Sequence, residues 1–308
     1  MDVSIVIISY NVSDLLNDCI VSIKKETSCN YEIIVVDNNS KDNSAEMLKT
    51  CHPDVRLIQN EMNVGFAKAN NQAFKEASGK YILMLNPDTV VLNKAIDKLV
   101  QFMDEYPDAG AAGCKLLYPD MSLHPSCRRF TTIWSEVYSL SLLFVLFNTY
   151  SNLNDLLPPK FDYNKINEVD YVWGACMILR GKAIERVGML DERYFMYAEE
   201  QDWCFQAKKA GWKIYYIPDG QVIHIGGASS SRNTLKLINP NLYKSIYLMI
   251  KKNRSAIASL SFKWMLVGIC LFRSALWFTM MLLKPIKKPI YRDRIKNSLN
   301  VARLIASL

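Results

Sequence analysis

Four apolar runs of strand length, each followed by residues with helical periodicity, restrict the first 120 residues to one kind of architecture. Val3–Ser9 (VSIVIIS) is continuously apolar, and Leu15, Leu16, Cys19, Ile20 and Ile23 then recur at helical spacing. Glu32–Val36 (EIIVV) gives a second strand, followed by a short helix over Ala45–Leu48. Val55–Gln59 is a third strand, ahead of a helix over Ala67–Ala77. Lys80–Leu85 (KYILML) is a fourth, followed by NPDTVV and a helix over Lys94–Tyr106. Strands apolar on both faces need cover on both faces, and alternating helices supply it. The pattern therefore predicts an α/β protein built on an open parallel sheet with right-handed crossovers. Such sheets bind ligands beyond the carboxyl ends of their strands, so the residues just after each strand are candidate site residues.

From about residue 110 to 235 the pattern is less regular. VDYVWGACMIL reads as one strand, YAEEQDWCFQAKKAGW as a helix, and KIYYIP and QVIHIGG as two further strand-like runs. Trp134–Phe147 is apolar but too short to span a bilayer, leaving core, acceptor-binding wall or membrane-facing loop open. Asn148–Asn167, with Pro158 and Pro159, reads as a loop. The tail carries Trp264–Leu283, 20 residues interrupted only by Arg273. That length could span a membrane, but a central Arg costs about 2.5–3.5 kcal/mol there. Basic residues on both flanks fit a helix lying in the interface better than one crossing it.

Charge divides the chain in the same place. Lys236–Leu308 holds 14 Lys and Arg against one acid, Asp293, while the remainder holds 23 basic and 29 acidic residues. An acidic body with a basic, apolar tail points the tail at an anionic membrane surface. A nucleic-acid-binding tail fits less well, because its apolar run is far longer than aromatic interleaving requires. The eight cysteines (Cys19, Cys29, Cys51, Cys114, Cys127, Cys176, Cys204 and Cys270) form no C-x-x-C pair. Their scatter predicts free thiols in a reducing cytosol. VSIVIISY at the start has no basic leader and reads as a buried strand rather than a signal peptide.

Three strand ends carry polar clusters: Ser9-Tyr10-Asn11, Asp37-Asn38-Asn39-Ser40 with Asp42, and Asn86-Pro87-Asp88-Thr89. Each alone is ordinary turn chemistry, but three at one sheet edge make a site. Neither G-x-G-x-x-G nor G-x-x-x-x-G-K-[ST] occurs, which weakens dinucleotide and ATPase readings. One carboxylate, Asp88, with water and phosphate oxygens suits Mg²⁺ or Mn²⁺, and His224 is either a further ligand or structural. Glu199, Glu200 and Asp202 crowd one predicted helical turn. Acids are favoured in any first turn, yet burying several is costly unless they pair, bind a cation or share a proton. Carboxylates held that way can take a proton from a hydroxyl.

In order, SIVIISYN, VVDNNSKDNS, NVGFAKANNQAF, LMLNPDT, WGACMILRGKAIERVGMLDERYFMYAEEQDWC and VIHIGGASS resemble the motifs of family 2 inverting glycosyltransferases of the GT-A fold. Within that family they resemble the bacterial rhamnosyltransferase-like branch. The resemblance covers about residues 1–235. It implies a Rossmann-like, mostly parallel sheet flanked by helices, with a nucleotide-binding half over about 1–120 and an acceptor half over about 121–235. The helical tail over 236–308 lies outside it. It implies a nucleotide-sugar donor held by Ser9, Tyr10, Asn11, Asp37, Asn39, Asn63, Gly65, Lys68, Asn86, Asp88 and Arg232. Asp37 would meet the nucleobase, and the Asn63–Asn71 segment would line the nucleotide pocket. Asp88 ends a DXD-type metal motif whose leading position is Asn86 here, and His224 matches a late family histidine. Glu200 stands where the base usually stands as Asp, with Asp202 the second candidate.

The activity so implied is sugar transfer from a nucleoside diphosphate to a hydroxyl of a glycan or lipid-linked acceptor, in bacterial surface polysaccharide synthesis. The LNPD variant points to dTDP-rhamnose. Gly226–Ser231 has the composition of a lid, and Arg232 would be a mobile phosphate contact. The enzyme would work peripherally on the cytoplasmic face of the membrane, where such an acceptor is anchored. Two other readings are a sugar-nucleotide nucleotidyltransferase, which expects a glycine-rich phosphate loop, and a catalytically inactive, membrane-tethered assembly subunit. The residues leave oligomeric state open.

Overall fold

Every side chain of β1 (Val3–Ser9) is buried, and so is every one of β4 (Tyr81–Leu85), as strands covered on both faces require. The computed structural model describes residues 1–130, 132, 161–226, 239–283 and 288–308. They form two compact units: 1–130, 161–195 and 199–226 in the first, and 132, 196–198, 239–283 and 288–308 in the second.

In the first unit β1 pairs in parallel with β2 (Tyr31–Asp37) and with β4, and β2 pairs in parallel with β3 (Arg56–Gln59). The intervening helices are α1 (Ser13–Glu26), α2 (Ser44–Cys51) and α3 (Phe66–Glu76). On α1 the buried residues Leu16, Cys19, Ile20 and Ile23 lie on one stripe, and each large one contributes roughly 1.5–3 kcal/mol by burial.

The sheet continues as β11 (Cys176–Arg180), β6 (Ala109–Leu117), β12 (Lys213–His224) and β5 (Thr89–Leu92), giving the order β3-β2-β1-β4-β11-β6-β12-β5. β11 is antiparallel to both its neighbours, β12 is parallel to β6, and β5 is antiparallel to β12. Six of the eight strands on this path therefore run the same way, and the sheet is mostly parallel. The carboxyl ends of β1, β2, β4 and β12 share an edge with the start of β11, because Cys176 pairs with Leu85. Two short strands, β7 (Leu123–His124) against β6 and β8 (Cys127–Arg128) against β10 (Tyr171–Val172), stand near that edge.

Three local expectations change. VDYVWGACMIL is not one strand: β9 (Asn167–Val169), β10 and β11 are separated by turns, the second at Trp173-Gly174-Ala175. KIYYIP and QVIHIGG are one strand, β12, with a register irregularity between Ile217 and Gln221 around Pro218 and Gly220. NPDTVV holds a turn followed by β5, whose Thr89 pairs with His224. Trp134–Phe147 lies outside the described residues.

The far end of the sheet is fastened by one buried cation. Arg180, ending β11, donates to the carbonyls of Met103 (2.5 Å), Tyr106 (2.9 Å) and Ala109 (2.7 Å). Met103 and Tyr106 close α4 (Ala95–Glu105), so the guanidinium meets the negative end of a helix. Helices α5 (Gly181–Val187) and α6 (Glu199–Lys209) follow β11.

The second unit is three helices, α7 (Pro240–Asn253), α8 (Ala256–Leu283) and α9 (Lys288–Ser307). They share a core of Tyr243, Ile246, Tyr247, Ile250, Phe262, Leu266, Cys270, Val301, Ala302 and Ile305. Among the described residues α8 alone is long and apolar enough to cross a membrane.

Replacing Arg180 with Met keeps much of its volume but strands three buried carbonyls. Hydrogen bonds to a charged group contribute about 1.5–3 kcal/mol each, so Arg180→Met is expected to lose about 3 kcal/mol in urea denaturation. A loss under about 1 kcal/mol would mean that water replaces the guanidinium.

Candidate active site

The first two polar clusters interlock. Ser9 pairs with Asp37 across β1 and β2, the Asn11 side-chain oxygen accepts from the Lys41 amide (2.6 Å), and the Asn11 amide donates to Ser40 Oγ (3.0 Å). Asn11 and Asn39 adopt left-handed backbone (φ 56 and 67), which Asn tolerates better than most residues. Two buried polar atoms here lack partners, Ser9 Oγ and Asp37 Oδ1, while Asp37 Oδ2 accepts from the Ser40 amide at 3.2 Å. A buried carboxylate oxygen with nothing to accept invites a donor from outside. Tyr10, and Lys68 on α3, are exposed.

Asn38, within the second polar cluster, ties this cluster to the NVG turn. Its amide donates to Gly65 O (3.3 Å) and its oxygen accepts from Val64 N (3.3 Å). Asn63 Oδ1 accepts from Gly65 N (3.0 Å) within the turn. Gly65 has φ +88, and a Cβ there would stand 2.6 Å from the carbonyl oxygen of Phe195, so only glycine fits. Phe66 N donates to that same oxygen (2.7 Å). Asn71 then grips the backbone of Leu190 with both ends of its amide (2.8 and 3.0 Å). NVGFAKANN thus holds the chain that leads into α6.

The third cluster turns at Asn86-Pro87-Asp88. Thr89 Oγ1 donates to Asn86 O (2.7 Å), and Asn86 N donates to Ala175 O (3.0 Å). Asp88 is buried, with Oδ1 3.4 Å from His224 Nε2, and Asn86 Nδ2 lies 3.3 Å from that nitrogen. Burial would raise the Asp88 carboxyl, but the His224 ring and the amides of Asp88 and Gly226 outweigh it and hold the group below the ordinary range. One oxygen and one nitrogen donor suit Mn²⁺, with other positions left to water and phosphate. Among the described residues no set of three His, Cys, Asp or Glu side chains is placed to hold a metal.

His124 is the residue that sequence reasoning missed. Its ring stacks on His224 (centroids 5.2 Å, 11°) and on Tyr118 (4.0 Å, 17°), and meets Trp173 edge-on (5.1 Å). Burial, with His224 and Arg128 adding to it, pushes its pKa down to about 4, so at neutral pH it is an uncharged wall. The chain has only three histidines, and two of them meet here, a scarcity that was open to reading.

Opposite lies the start of α6. Glu199 is buried with Oε2 unpartnered, and Glu200 Oε2 is buried and unpartnered too. Burial pushes the Glu200 carboxyl up despite amide hydrogen bonds that include Gly174, in the turn before β11. Burial raises Glu199 further, the Glu200 charge adding to it. Asp202 is buried on the same helix, within reach of Gln206 Nε2 at 3.4 Å. Just ahead, Tyr197 (φ 75) and Ala198 (φ 67) are both left-handed, a strain of about 1–2 kcal/mol each of the kind found at functional sites. Arg232 and the segment beyond Gly226 lie outside the described residues.

The family model described as glycosyl transferase family 2 matches residues 4–187. An N-acetylglucosaminyl-diphospho-decaprenol L-rhamnosyltransferase of Mycobacterium tuberculosis is 27% identical over 286 residues, covering 88% of this chain and 91% of its own. Rhamnosyltransferase WbbL of Escherichia coli is 27% identical over 231 residues, covering 72% of this chain and 83% of its own. In fold the chain is similar to a mannosyltransferase from Pyrobaculum calidifontis solved with GDP-Man and Mn²⁺ (TM-score 0.52, 15% identity, 99% of this chain and 86% of that one).

A carboxyl with a raised folded pKa stabilises most below its ordinary value of 4.5, and that contribution is lost as pH rises toward the folded value. Wild type should therefore lose stability relative to Glu199→Gln as pH rises above about 4.5 in thermal unfolding. Parallel curves would mean that the Glu199 carboxyl titrates alike in the folded and unfolded chain.

Proposed function

Since the chain belongs to glycosyl transferase family 2, we propose that this GT-A glycosyltransferase moves a sugar from a nucleoside-diphosphate donor to a lipid-linked acceptor hydroxyl with inversion. One observation carries the mechanism. The carboxyl raised by burial, Glu200, is tied to Gly174, and the carboxylate held low, Asp88, lies in the turn bonded to neighbouring Ala175. A carboxyl pushed up makes a base poised nearer neutral pH, and one held down stays anionic for a cation.

Glu200 takes the proton from the acceptor hydroxyl as that oxygen bonds to the anomeric carbon and the bond to the diphosphate breaks. Asp202 is the second candidate for this role. Asp37 and Ser9 bind the nucleoside through their unpartnered oxygens, with Tyr10, Asn11, Asn39, Asn63, Gly65 and Lys68 around it. Asp88 and His224 would hold Mn²⁺ or Mg²⁺, which offsets the charge gathering on the departing diphosphate. Asn86 and the stacked His124 keep the His224 ring in place. The names of the two rhamnosyltransferases support a rhamnosyl donor, and that of the mycobacterial relative supports a GlcNAc-diphospho-lipid acceptor.

The second unit supports work at a membrane surface rather than across it. One stripe of α8 packs inward through Ser259, Phe262, Leu266, Cys270 and Ser274, and the rest exposes Ile257, Leu260, Trp264, Leu271, Phe272 and Phe278. α9 packs along α8, Tyr291 stacking on Trp277, with Arg292, Asp293, Lys296 and Arg303 exposed. Were α8 to cross the bilayer, α9 would carry those charges into hydrocarbon at about 2.5–3.5 kcal/mol each. Lying in the cytoplasmic interface, the pair offers apolar residues to lipid and cations to headgroups. The purified protein should sediment with phosphatidylglycerol vesicles, and Leu271→Asp with Phe272→Asp should abolish this. Equal sedimentation of the doubly substituted chain would remove α8 as the contact.

The transfer itself is tested with a panel of nucleotide sugars, a GlcNAc-diphospho-lipid and Mn²⁺ or a chelator. One donor should be consumed, chelation should stop it, and Glu200→Gln should lower kcat by about 10²–10⁴. Full activity in Glu200→Gln would transfer the role to Asp202. A panel without turnover or nucleotide binding would favour an inactive assembly subunit.

A further inference from the structure

Arg128, on β8, places its guanidinium carbon 4.9 Å from the centre of the Trp173 indole. It is half-buried, and among the described residues no carboxylate forms a salt bridge with it. Acids on the neighbouring segment are engaged elsewhere. Lys208 Nζ lies 3.2 Å from Glu168 and 3.3 Å from Asp170, and Asp170 Oδ2 accepts from the Phe130 amide at 2.9 Å. A guanidinium partly stripped of water on an aromatic face and given no anion is prepared to receive one.

Its surroundings say which. Trp173 opens the turn whose Gly174 amide reaches Glu200 and whose Ala175 carbonyl accepts from Asn86. The same indole meets the His124 ring at right angles, and His124 stacks on His224 beside Asp88. Arg128 therefore belongs to the edge that carries Asp88 and Glu200. The proposed reaction brings two diphosphates there, one on the donor and one on the lipid acceptor, and a single cation at Asp88 answers only one of them. Planar, paired N–H donors match phosphate oxygens in a way an ammonium does not.

We propose that Arg128, stacked on Trp173 and free of any carboxylate among the described residues, is a diphosphate-binding residue of this site. The inference rests on the functional reading above and adds a residue that neither the resemblance nor the metal pair supplies. Donor and acceptor share the diphosphate chemistry, and the experiment separates them.

Wild type, Arg128→Gln and Arg128→Lys are titrated by calorimetry with thymidine diphosphate plus Mn²⁺, and separately with a water-soluble, short-chain GlcNAc-diphospho-prenol. Arg128→Gln should weaken one probe about tenfold or more, and Arg128→Lys should restore part of it. Weakening of the nucleotide alone assigns Arg128 to the donor diphosphate, and weakening of the prenol probe alone assigns it to the acceptor. The matching KM should rise more than kcat falls, and melting temperature should not change. Either assignment supports the proposal. Wild-type affinity of Arg128→Gln for both probes would overturn it while leaving the functional reading intact. A drop for both probes together with a lower melting temperature would also overturn it, as a structural role. A wild-type chain that binds neither probe would overturn the functional reading, and this proposal with it.

Discussion

The antiparallel pairing of β11 with β4 decides where the candidate site lies, because it starts one strand at the edge where the other ends. Leu85 faces Cys176, and one residue further the Asn86 amide donates to Ala175 O at 3.0 Å. That bond joins the turn carrying Asp88 to the turn carrying Gly174, although about 90 residues separate them in sequence. Once these turns meet, the remaining parts need only short reach: His224 arrives at the end of β12, and Glu200 arrives on α6 to meet Gly174. Had β11 run parallel to β4, Arg180 would stand at the site edge and the WGA turn at the far end. The buried guanidinium that fastens α4 and the turn that receives Glu200 are thus opposite ends of one five-residue strand.

Electrostatics at that edge works by contrast. Asp88 and Glu200 are both carboxyls withdrawn from water, and burial acts on both in the same direction. Asp88 has an imidazole and backbone amides to offset burial, whereas Glu200 has amides that do not suffice. The result is one carboxyl held as an anion and one with raised proton affinity, as acid–base chemistry next to a charged leaving group needs. Tyr197 and Ala198, left-handed in succession, immediately precede α6.

Much of this is legible in sequence. The parallel half follows from apolar runs and helical stripes, since strands such as Val3–Ser9 have no polar face and can only be central. The strand ends single out Ser9, Asp37, Asn86 and Asp88, because a doubly wound sheet has one functional edge. Less can be read from 110 to 235, where strands are two to five residues long or kinked, and periodicity over so few residues cannot separate turn from strand. WGA looks like strand because its neighbours are apolar, yet there the backbone leaves the ladder and frees the Gly174 amide. His124 escapes notice for a different reason: it acts through a neighbour, the ring of His224. No local pattern records a contact between residues 100 positions apart.

The central claim is a single displacement, with base and leaving group on opposite sides of the anomeric carbon. The most direct measurement is the anomeric configuration of the transferred sugar, by NMR of product made from a nucleotide sugar of known configuration. Inversion is the predicted result, since in the proposed mechanism Glu200 would take the acceptor proton and form no bond to the sugar. Retention would contradict the account, because it would require a covalent or same-face step for which this arrangement of Glu200, Asp88 and His224 provides no role.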